Sequence, residues 1–321
     1  MIIGARLLAL ACLARAAALE ALHRLVDAHA PTPRRCRVAT IDGRRGLVAV
    51  GDAAPGDVLL EVPFSCCVVE RDAAADGSHW ASRLASRLVA LGADDPYLAS
   101  LPAEPPLALH RWDSGAALAL LGNATLEAEA DGIYFWRDDQ WAAHEARGGG
   151  GDRGAYLRLL DLVCSRTLRC GDRLVAAPLL DMANHRAEDE GGGTYGCAGA
   201  SIALRAGPRG ARHGDELFLD YGRRANDHWL LFYGFCPEHN RDDAVTLDGA
   251  SLSWRDAPLS PDDGRRPAAA AALAALGDAA GGGGGEQAAL AATYRDSKRR
   301  LLRALTGAPP ADAAASAFLG S

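Results

Sequence analysis

Short apolar runs separated by turn residues characterise the chain from residue 36 to residue 69. The runs cover residues 38–41, 46–50 and 58–69, and their pattern is typical of β-strands. Between the last two runs, Ala-Pro-Gly-Asp at 54–57 places proline and glycine at the centre of a turn, which suits type II geometry. The pattern therefore predicts that residues 47–69 form two strands joined by a tight connection.

Helical spacing of apolar residues begins after residue 79. A first helix is predicted there because four apolar side chains share one stripe: Trp80, Leu84, Leu88 and Leu91. Residues 114–121 are predicted to form a second helix. These segments indicate a helical insertion at about residues 72–160.

Glycine-rich loops separate the elements that follow. Residues 148–151 are a hinge by composition, and residues 156–168 are predicted to form a helix that leads into residues 174–182. Residues 188–193 are an acidic, glycine-rich surface loop before a strand pair that ends near residue 204. Residues 226–233 are predicted to be helical.

The C-terminal part has a different composition. After residue 258 the chain is rich in proline, aspartate and alanine, and residues 281–285 form a flexible glycine linker by composition. Residues 286–305 are predicted to form the last helix because apolar residues recur on one face: Leu290, Tyr294, Leu301, Leu302 and Leu305. The other face carries Arg295, Lys298, Arg299 and Arg300.

Residues 1–18 allow two interpretations. An early arginine, an apolar stretch over residues 7–13 and a run of alanines outline a secretory signal or part of an organelle-targeting leader. Alternatively, the segment begins a first helix in which Leu19, Leu22, Leu25 and Val26 keep helical spacing. A helix leaves a cytoplasmic location open, whereas a leader indicates an organellar or secretory one. The segment is too short to predict a stable membrane span.

Composition excludes several classes of protein. The 321 residues are 49% hydrophobic and 23% charged, which excludes disorder of the whole chain. The formal net charge of −7 argues against a nucleic-acid binder with a basic face, and a protein or small-molecule partner fits better. The eight cysteines show no CxxC pair and no zinc-finger spacing, so they are predicted to be reduced, mostly buried thiols, and no metal site is predicted.

Polar groups end three hydrophobic blocks between residues 179 and 235. The blocks are Leu-Leu-Asp-Met-Ala-Asn-His at 179–185, Asp-Glu-Leu-Phe-Leu-Asp-Tyr-Gly at 215–222 and Asn-Asp-His-Trp-Leu-Leu-Phe-Tyr-Gly-Phe at 226–235. Ser-Arg-Thr-Leu at 165–168 and Asp-Gly-Arg-Arg-Gly-Leu-Val-Ala at 42–49 come before them. In this order the motifs resemble the SET-domain protein methyltransferases, in the branch of the Rubisco large-subunit methyltransferase and its histidine- and lysine-modifying relatives.

The resemblance implies an α+β fold: a SET-domain β-fold with a knot-like C-terminal crossing, a helical insert and a short helical C-terminal region. The SET domain would cover residues 19–248, with the insert at about 72–160. Residues 249–321 would form a linker and a reduced helical substrate-binding region. The chain departs from the branch here, because that C-terminal domain is usually larger.

The resemblance also implies S-adenosyl-L-methionine as the cofactor. Arg166 would pair with its methionyl carboxylate, for which a planar, always-charged guanidinium is well suited. The backbone around Arg45, Gly46 and Leu47 would contact the amino-acid end. Further cofactor contacts are implied for Asn184, His185 and Tyr233.

Tyr221 is the predicted catalytic residue. Its hydroxyl and nearby carbonyls would orient an acceptor amine and the electron-poor methyl group, with no covalent enzyme intermediate. The acceptor is predicted to be a lysine of a protein substrate, with histidine as the other acceptor of the branch. Residues implied on the acceptor side are Asp181, Tyr195, Tyr221 and Tyr233.

Each of these residues also has a structural explanation. Tyr221 could end a strand in an ordinary turn, Arg166 could pair with a structural carboxylate, and His185 could be a satisfied core histidine. A different class of function is a SET-type module that binds a partner without turnover. A hydrolase using Asp181 and His185 is a third interpretation, but the sequence lacks a Gly-x-Ser-x-Gly elbow.

Overall fold

The chain forms two units that alternate along the sequence. In the computed structural model, the described residues are 2–74, 77–112, 115–276 and 285–308, with residues 2–13 and 116 described by backbone alone. The first unit comprises Met1–Pro105 and Arg137–Gly222, and the second comprises Pro106–Trp136 and Arg223–Ser321. Most of the predicted glycine linker lies outside the described residues.

A four-stranded sheet of the first unit carries several predicted site residues. Its strands, in spatial order, are β1 (Cys36–Ile41), β2 (Arg44–Ala49), β10 (Glu216–Leu219) and β7 (Asn184–His185). Neighbours pair antiparallel except β10 and β7, which are parallel. Asp42 and Gly43 join β1 to β2 with φ values of 48° and 78°, as a two-residue hairpin turn with positive φ at both positions requires.

Two three-stranded sheets complete the β-structure of the first unit. One has the order β3 (Val58–Pro63), β9 (Ser201–Arg205), β8 (Thr194–Ala198), and the other β4 (Val68–Arg71), β6 (Arg173–Ala176), β5 (Leu168–Cys170). The prediction of one strand over residues 58–69 is wrong. A 3-10 turn at Phe64–Cys66 follows Pro63, which fixes φ and cannot donate to a ladder, so β3 and β4 join different sheets.

Three helices of the first unit begin at polar caps. The unit contains α1 (Ile2–His29), α2 (Trp80–Leu91), α3 (Pro96–Ser100) and α6 (Arg153–Arg166), while α5 (Ala124–Ala146) includes the boundary between the units. His79, Asp95 and Asp152 cap α2, α3 and α6 by accepting backbone N–H groups. Helical structure over residues 19–26 is confirmed, but cleavage of a leader stays a prediction.

The glycine run between α5 and α6 packs against a histidine. Gly149 donates its N–H to the carbonyl of His144, and a Cβ on Gly149 would lie 2.2 Å from the imidazole Cε1. His144 is itself buried and stacks on Tyr156 with ring centroids 4.5 Å apart. Glycine at 149 therefore allows this close packing, and hinge motion of the loop stays a prediction.

The second unit is mostly helical. It contains α4 (Gly115–Ala119), α7 (Asn226–His228), which continues into a π-helix at Trp229–Tyr233, the hairpin of β11 (Ala244–Leu247) and β12 (Ala250–Ser253), α8 (Arg266–Leu276) and α9 (Glu286–Thr306). One cluster of its core includes Leu109, Leu126, Leu230 and Tyr294, and another is built around Leu252, Leu301 and Leu305. Within the described residues, no helix combines the length and apolar content needed to cross a membrane.

The prediction that Lys298 lies on an exposed basic face of α9 is wrong. It is 3% exposed, and its Nζ lies 2.7 Å from Asp243 Oδ1 and 2.8 Å from Asp227 Oδ1. Burial lowers the pKa of Lys298, but the two carboxylates outweigh this effect and raise it above the usual value. Lys298 therefore belongs to the interior, because two acids from other segments supply counter-charges.

The prediction that all the cysteines are reduced thiols is wrong for two of them, which form a disulfide. Cys170 on β5 is bonded to Cys197 on β8, with Cα atoms 5.8 Å apart. The two residues are 27 positions apart, and only the close approach of two different sheets brings them within disulfide range. Of the other cysteines with described side chains, Cys36 is buried and the rest are half-buried thiols: Cys66, Cys67, Cys164 and Cys236.

Candidate functional site

A tight turn precedes strand β7 in the first unit. Leu179 has φ 66° and ψ −48°, and Leu180 donates its N–H to the carbonyl of Pro178 at 2.8 Å, so the three residues form a γ-turn of the rare positive-φ type. Leu179 is only 1% exposed. Strained backbone in a buried segment is concentrated at functional sites, and this turn sets the path of Asp181 and Asn184.

Asp181 is the buried acid of the site. Its side chain is fully inaccessible, and Oδ2 accepts a hydrogen bond from the Tyr97 hydroxyl at 3.0 Å. Arg166 donates from Nη1 to the main-chain carbonyl of Asp181 at 2.7 Å and lies 3.7 Å from Oδ2. Burial raises the pKa of Asp181, while the positive charge of Arg166 opposes that rise. The carboxylate thus supports Arg166 from the interior and is not presented to solvent.

Arg45 adds a second guanidinium to this region. It follows the hairpin turn into β2 and donates from Nη1 to the carbonyl of Ser100. Burial, reinforced by the charge of Arg166, lowers the pKa of Arg45 to about 10. Nη2 of Arg45, Nε of Arg166 and Oδ1 of Asp181 are buried and have no hydrogen-bond partner within the described residues.

Asn184 is fixed against strand β2. Its amide Nδ2 donates to the carbonyl of Arg45 at 3.2 Å and to Glu216 Oε1 at 2.8 Å. A Cβ on Gly46 would lie 2.8 Å from Glu216 Oε1 and 3.0 Å from Asn184 Nδ2, so a side chain there would displace the two polar groups that meet over β2. Leu47, the next residue of β2, is fully buried.

His185 and Tyr221 lie next to each other at the end of β10. Their ring centroids are 5.1 Å apart, and His185 Nδ1 is 3.3 Å from both the carbonyl of Leu219 and the N–H of Tyr221. A single ring nitrogen cannot donate to one and accept from the other at once, so the tautomer decides between them. Burial lowers the pKa of His185, which favours the neutral ring at pH 7.

The Tyr221 hydroxyl donates to the carbonyl of Ala183 at 2.6 Å. This bond ties the predicted catalytic residue to the segment between Asp181 and Asn184. Ala183, Tyr97 and Glu216 were not among the predicted site residues. Ala183 and Glu216 lie in motifs that carry the resemblance, but the contacts of all three residues depend on distant parts of the chain.

Two predicted site residues have other surroundings. The Tyr195 hydroxyl on β8 contacts the backbone N–H and carbonyl of Arg169, each at 3.3 Å. Tyr233 belongs to the second unit, where it ends the π-helix and packs edge-on against Trp229 with centroids 4.9 Å apart. The structure thus brings together eight predicted residues within the first unit: Arg45, Gly46, Leu47, Arg166, Asp181, Asn184, His185 and Tyr221.

Comparisons with known proteins reveal similarity at the level of structure. No family model and no curated protein matches the sequence. The SET domain of LSMT bound to lysine and AdoHcy superposes with a TM-score of 0.68 at 16% identity, covering 91% of this chain and 90% of that chain. Rubisco LSMT bound to AdoMet gives 0.68 at 16% identity, with 90% and 91% covered. Rubisco LSMT bound to sinefungin and monomethyllysine gives 0.66 at 17% identity, with 90% of each chain covered.

These similarities confirm the predicted α+β architecture. The knot-like crossing and the predicted domain boundaries stay predictions. The chain has the fold of the Rubisco LSMT SET domain.

Proposed function

We propose that this chain transfers a methyl group from S-adenosylmethionine to a lysine side chain of a protein substrate. Similarly folded Rubisco LSMT structures hold AdoMet, AdoHcy, lysine or methyllysine, which supports this class of reaction. The observation that carries the proposal is the buried Nε of Arg166, which has no hydrogen-bond partner among the described residues and lies in the unit that also assembles Asn184, His185 and Tyr221.

The chemistry of these residues fits the amino-acid end of the cofactor. A guanidinium donates in a rigid fork that matches a carboxylate, and Arg166 already has its Nη1 anchored on the Asp181 carbonyl. Asn184 packs against the backbone of β2 because Gly46 has no side chain. Arg166 would hold the carboxylate, and Asn184 with His185 would hold the amine and the adenine.

Tyr221 is suited to orient the acceptor. When bound, S-adenosylmethionine supplies an electron-poor methyl carbon, to which a neutral nitrogen bonds as the carbon–sulfur bond breaks. A phenolic oxygen that donates its proton to Ala183 can also accept a hydrogen bond from an amine N–H. Tyr221 therefore positions a nucleophile whose lone pair stays available, and no enzyme nucleophile is needed.

The lysine must lose a proton before it reacts. Its reference pKa is about 10.4, so at neutral pH the amine is mostly charged, and a partly desolvated environment favours the neutral form. The neutral His185 ring, tilted against Tyr221 with centroids 5.1 Å apart, adds no positive charge that would repel an ammonium group. The proton is released to solvent before the nitrogen–carbon bond forms.

Methyl transfer to protein tests the proposal. The chain is incubated with S-adenosylmethionine labelled in its methyl group and a cell extract, and label in protein is measured for the wild type, Tyr221→Phe and Tyr134→Phe. Tyr134 is 51% exposed and serves as the matched control. We expect Tyr221→Phe to lower the rate at least about tenfold, or about 1.4 kcal/mol of transition-state stabilisation, with Tyr134→Phe unchanged. No labelling by the wild type would refute the proposal.

The acceptor is identified by hydrolysing the labelled protein and separating its amino acids. We expect methyllysine, whereas label only in methylhistidine would reassign the acceptor. The chain contains one lysine, Lys298, and this residue is buried in two ion pairs. Methyllysine must therefore come from another protein, and lysine label on the chain itself would contradict the structure.

A further inference from the structure

The Arg45 side chain has no role in the resemblance, which assigns only its backbone. In the structure, its guanidinium points into the interior of the first unit. Nη1 donates to the carbonyl of Ser100, and Nη2 is buried with no hydrogen-bond partner in the described part of the chain. Within the described residues, no carboxylate lies at ion-pairing distance from Arg45. A buried charge with an unsatisfied donor is costly, so an additional acceptor is expected there.

Arg166, in the same region, also has a buried nitrogen atom, Nε, that lacks a hydrogen-bond partner within the described residues. Burial and, after it, the positive charge of Arg166 lower the pKa of Arg45. The acid that acts on both guanidinium groups is Asp181, which is already engaged by Tyr97 and Arg166. Two positive charges thus share one negative charge, and one more anionic group would balance the cluster.

We propose that the guanidinium groups of Arg45 and Arg166 together bind the carboxylate of S-adenosylmethionine. This inference rests on the proposed function and adds a side-chain role for Arg45. A carboxylate has two oxygens and four acceptor positions, enough to take donors from two guanidinium groups at once. Its arrival converts two cations and one anion into a balanced set, so cofactor binding relieves the repulsion between Arg45 and Arg166.

The test compares two ligands and three variants of the full chain by calorimetric titration. S-adenosylmethionine carries the carboxylate, whereas decarboxylated S-adenosylmethionine keeps the sulfonium and the amine but lacks it. The variants are Arg45→Met, Arg45→Lys and Arg44→Met. Arg44 is the exposed neighbour on the same strand and serves as the control.

We expect Arg45→Met to weaken S-adenosylmethionine at least tenfold and the decarboxylated ligand less than twofold. Arg45→Lys should recover part of the lost affinity because it restores the charge, and Arg44→Met should change neither ligand. Equal effects of Arg45→Met on both ligands, or no effect on either, would overturn the role of Arg45 while leaving the proposed function intact. Absence of S-adenosylmethionine binding by the wild type would instead overturn the proposed function, and this inference with it.

Thermal unfolding without ligand separates binding from a structural role. Methionine keeps an apolar stem and removes an unbalanced buried charge, so the melting temperature of Arg45→Met should equal or exceed that of the wild type. A clear decrease would assign Arg45 to the support of Ser100 and overturn the proposal.

Discussion

Replacing Lys298 with methionine perturbs the buried ion cluster of the second unit. Lys298 Nζ contacts Asp243 Oδ1 at 2.7 Å and Asp227 Oδ1 at 2.8 Å, and the Asp243 side chain is fully inaccessible. Removing one partner of a buried ion pair costs about 3–5 kcal/mol, because the remaining charge stays buried and uncompensated. Asp243 also accepts hydrogen bonds from the N–H of Asn226 and the hydroxyl of Ser297. We therefore expect Lys298→Met to lower the free energy of unfolding by about 3 kcal/mol, the lower end of that range.

Urea unfolding of the wild type and three variants measures this loss. Arg71→Met is the control, because Arg71 and Asp172 form a pair whose side chains are 74% and 66% exposed, and such pairs contribute under about 1 kcal/mol. In the double variant Lys298→Met/Asp243→Asn, the free energy of unfolding should partly recover because the buried negative charge of Asp243 is removed together with its partner. The reasoning is refuted if Lys298→Met lowers the free energy of unfolding no more than Arg71→Met does.

Three further perturbations test other parts of the structure. Gly46→Ala should lower the free energy of unfolding by about 1–3 kcal/mol through overpacking and should weaken cofactor binding in calorimetry. Gly196→Ala is the control, because the added methyl group meets open space, and it should leave cofactor binding unchanged. Replacing Cys170 and Cys197 by serine opens a loop spanning 27 positions and should cost about 3.5 kcal/mol in urea unfolding; equal stability of the wild type with and without a thiol reductant would argue against the bond. Burial lowers the pKa of His228 from 6.5 to about 4, so the unfolded state binds the proton first and stability should fall as pH drops from 6.5 to 4. In the His228→Gln variant, the melting temperature should fall less between pH 6.5 and pH 4 than it does in the wild type. The same dependence of melting temperature on pH in both proteins would contradict this prediction.

Local features were predictable from the sequence where neighbouring residues decide the backbone. Asp42 and Gly43 suit a two-residue hairpin turn, and that turn joins β1 to β2. Apolar spacing predicted α2 and α9, because a helix that packs on a core needs one apolar face. The motifs around Arg166, Asn184 and Tyr221 indicated the fold because their order along the chain carries information that no single motif has.

Features that depend on distant segments were missed. The contact between Tyr97 and Asp181 joins residues 84 positions apart, and nothing near either residue indicates it. The burial of Lys298 depends on acids contributed by two other segments, whereas helical spacing alone placed it on a basic surface. The positive φ of Leu179 is imposed by tertiary packing, since leucine has no intrinsic preference for that conformation.

A crystal structure of the chain with S-adenosylhomocysteine tests the central claim most directly. We predict one bound ligand with its carboxylate at hydrogen-bonding distance from Arg166 and its amine and adenine against Asn184 and His185. The sulfur should face the Tyr221 hydroxyl. A ligand bound away from these residues, or no ligand at saturating concentration, would contradict the account.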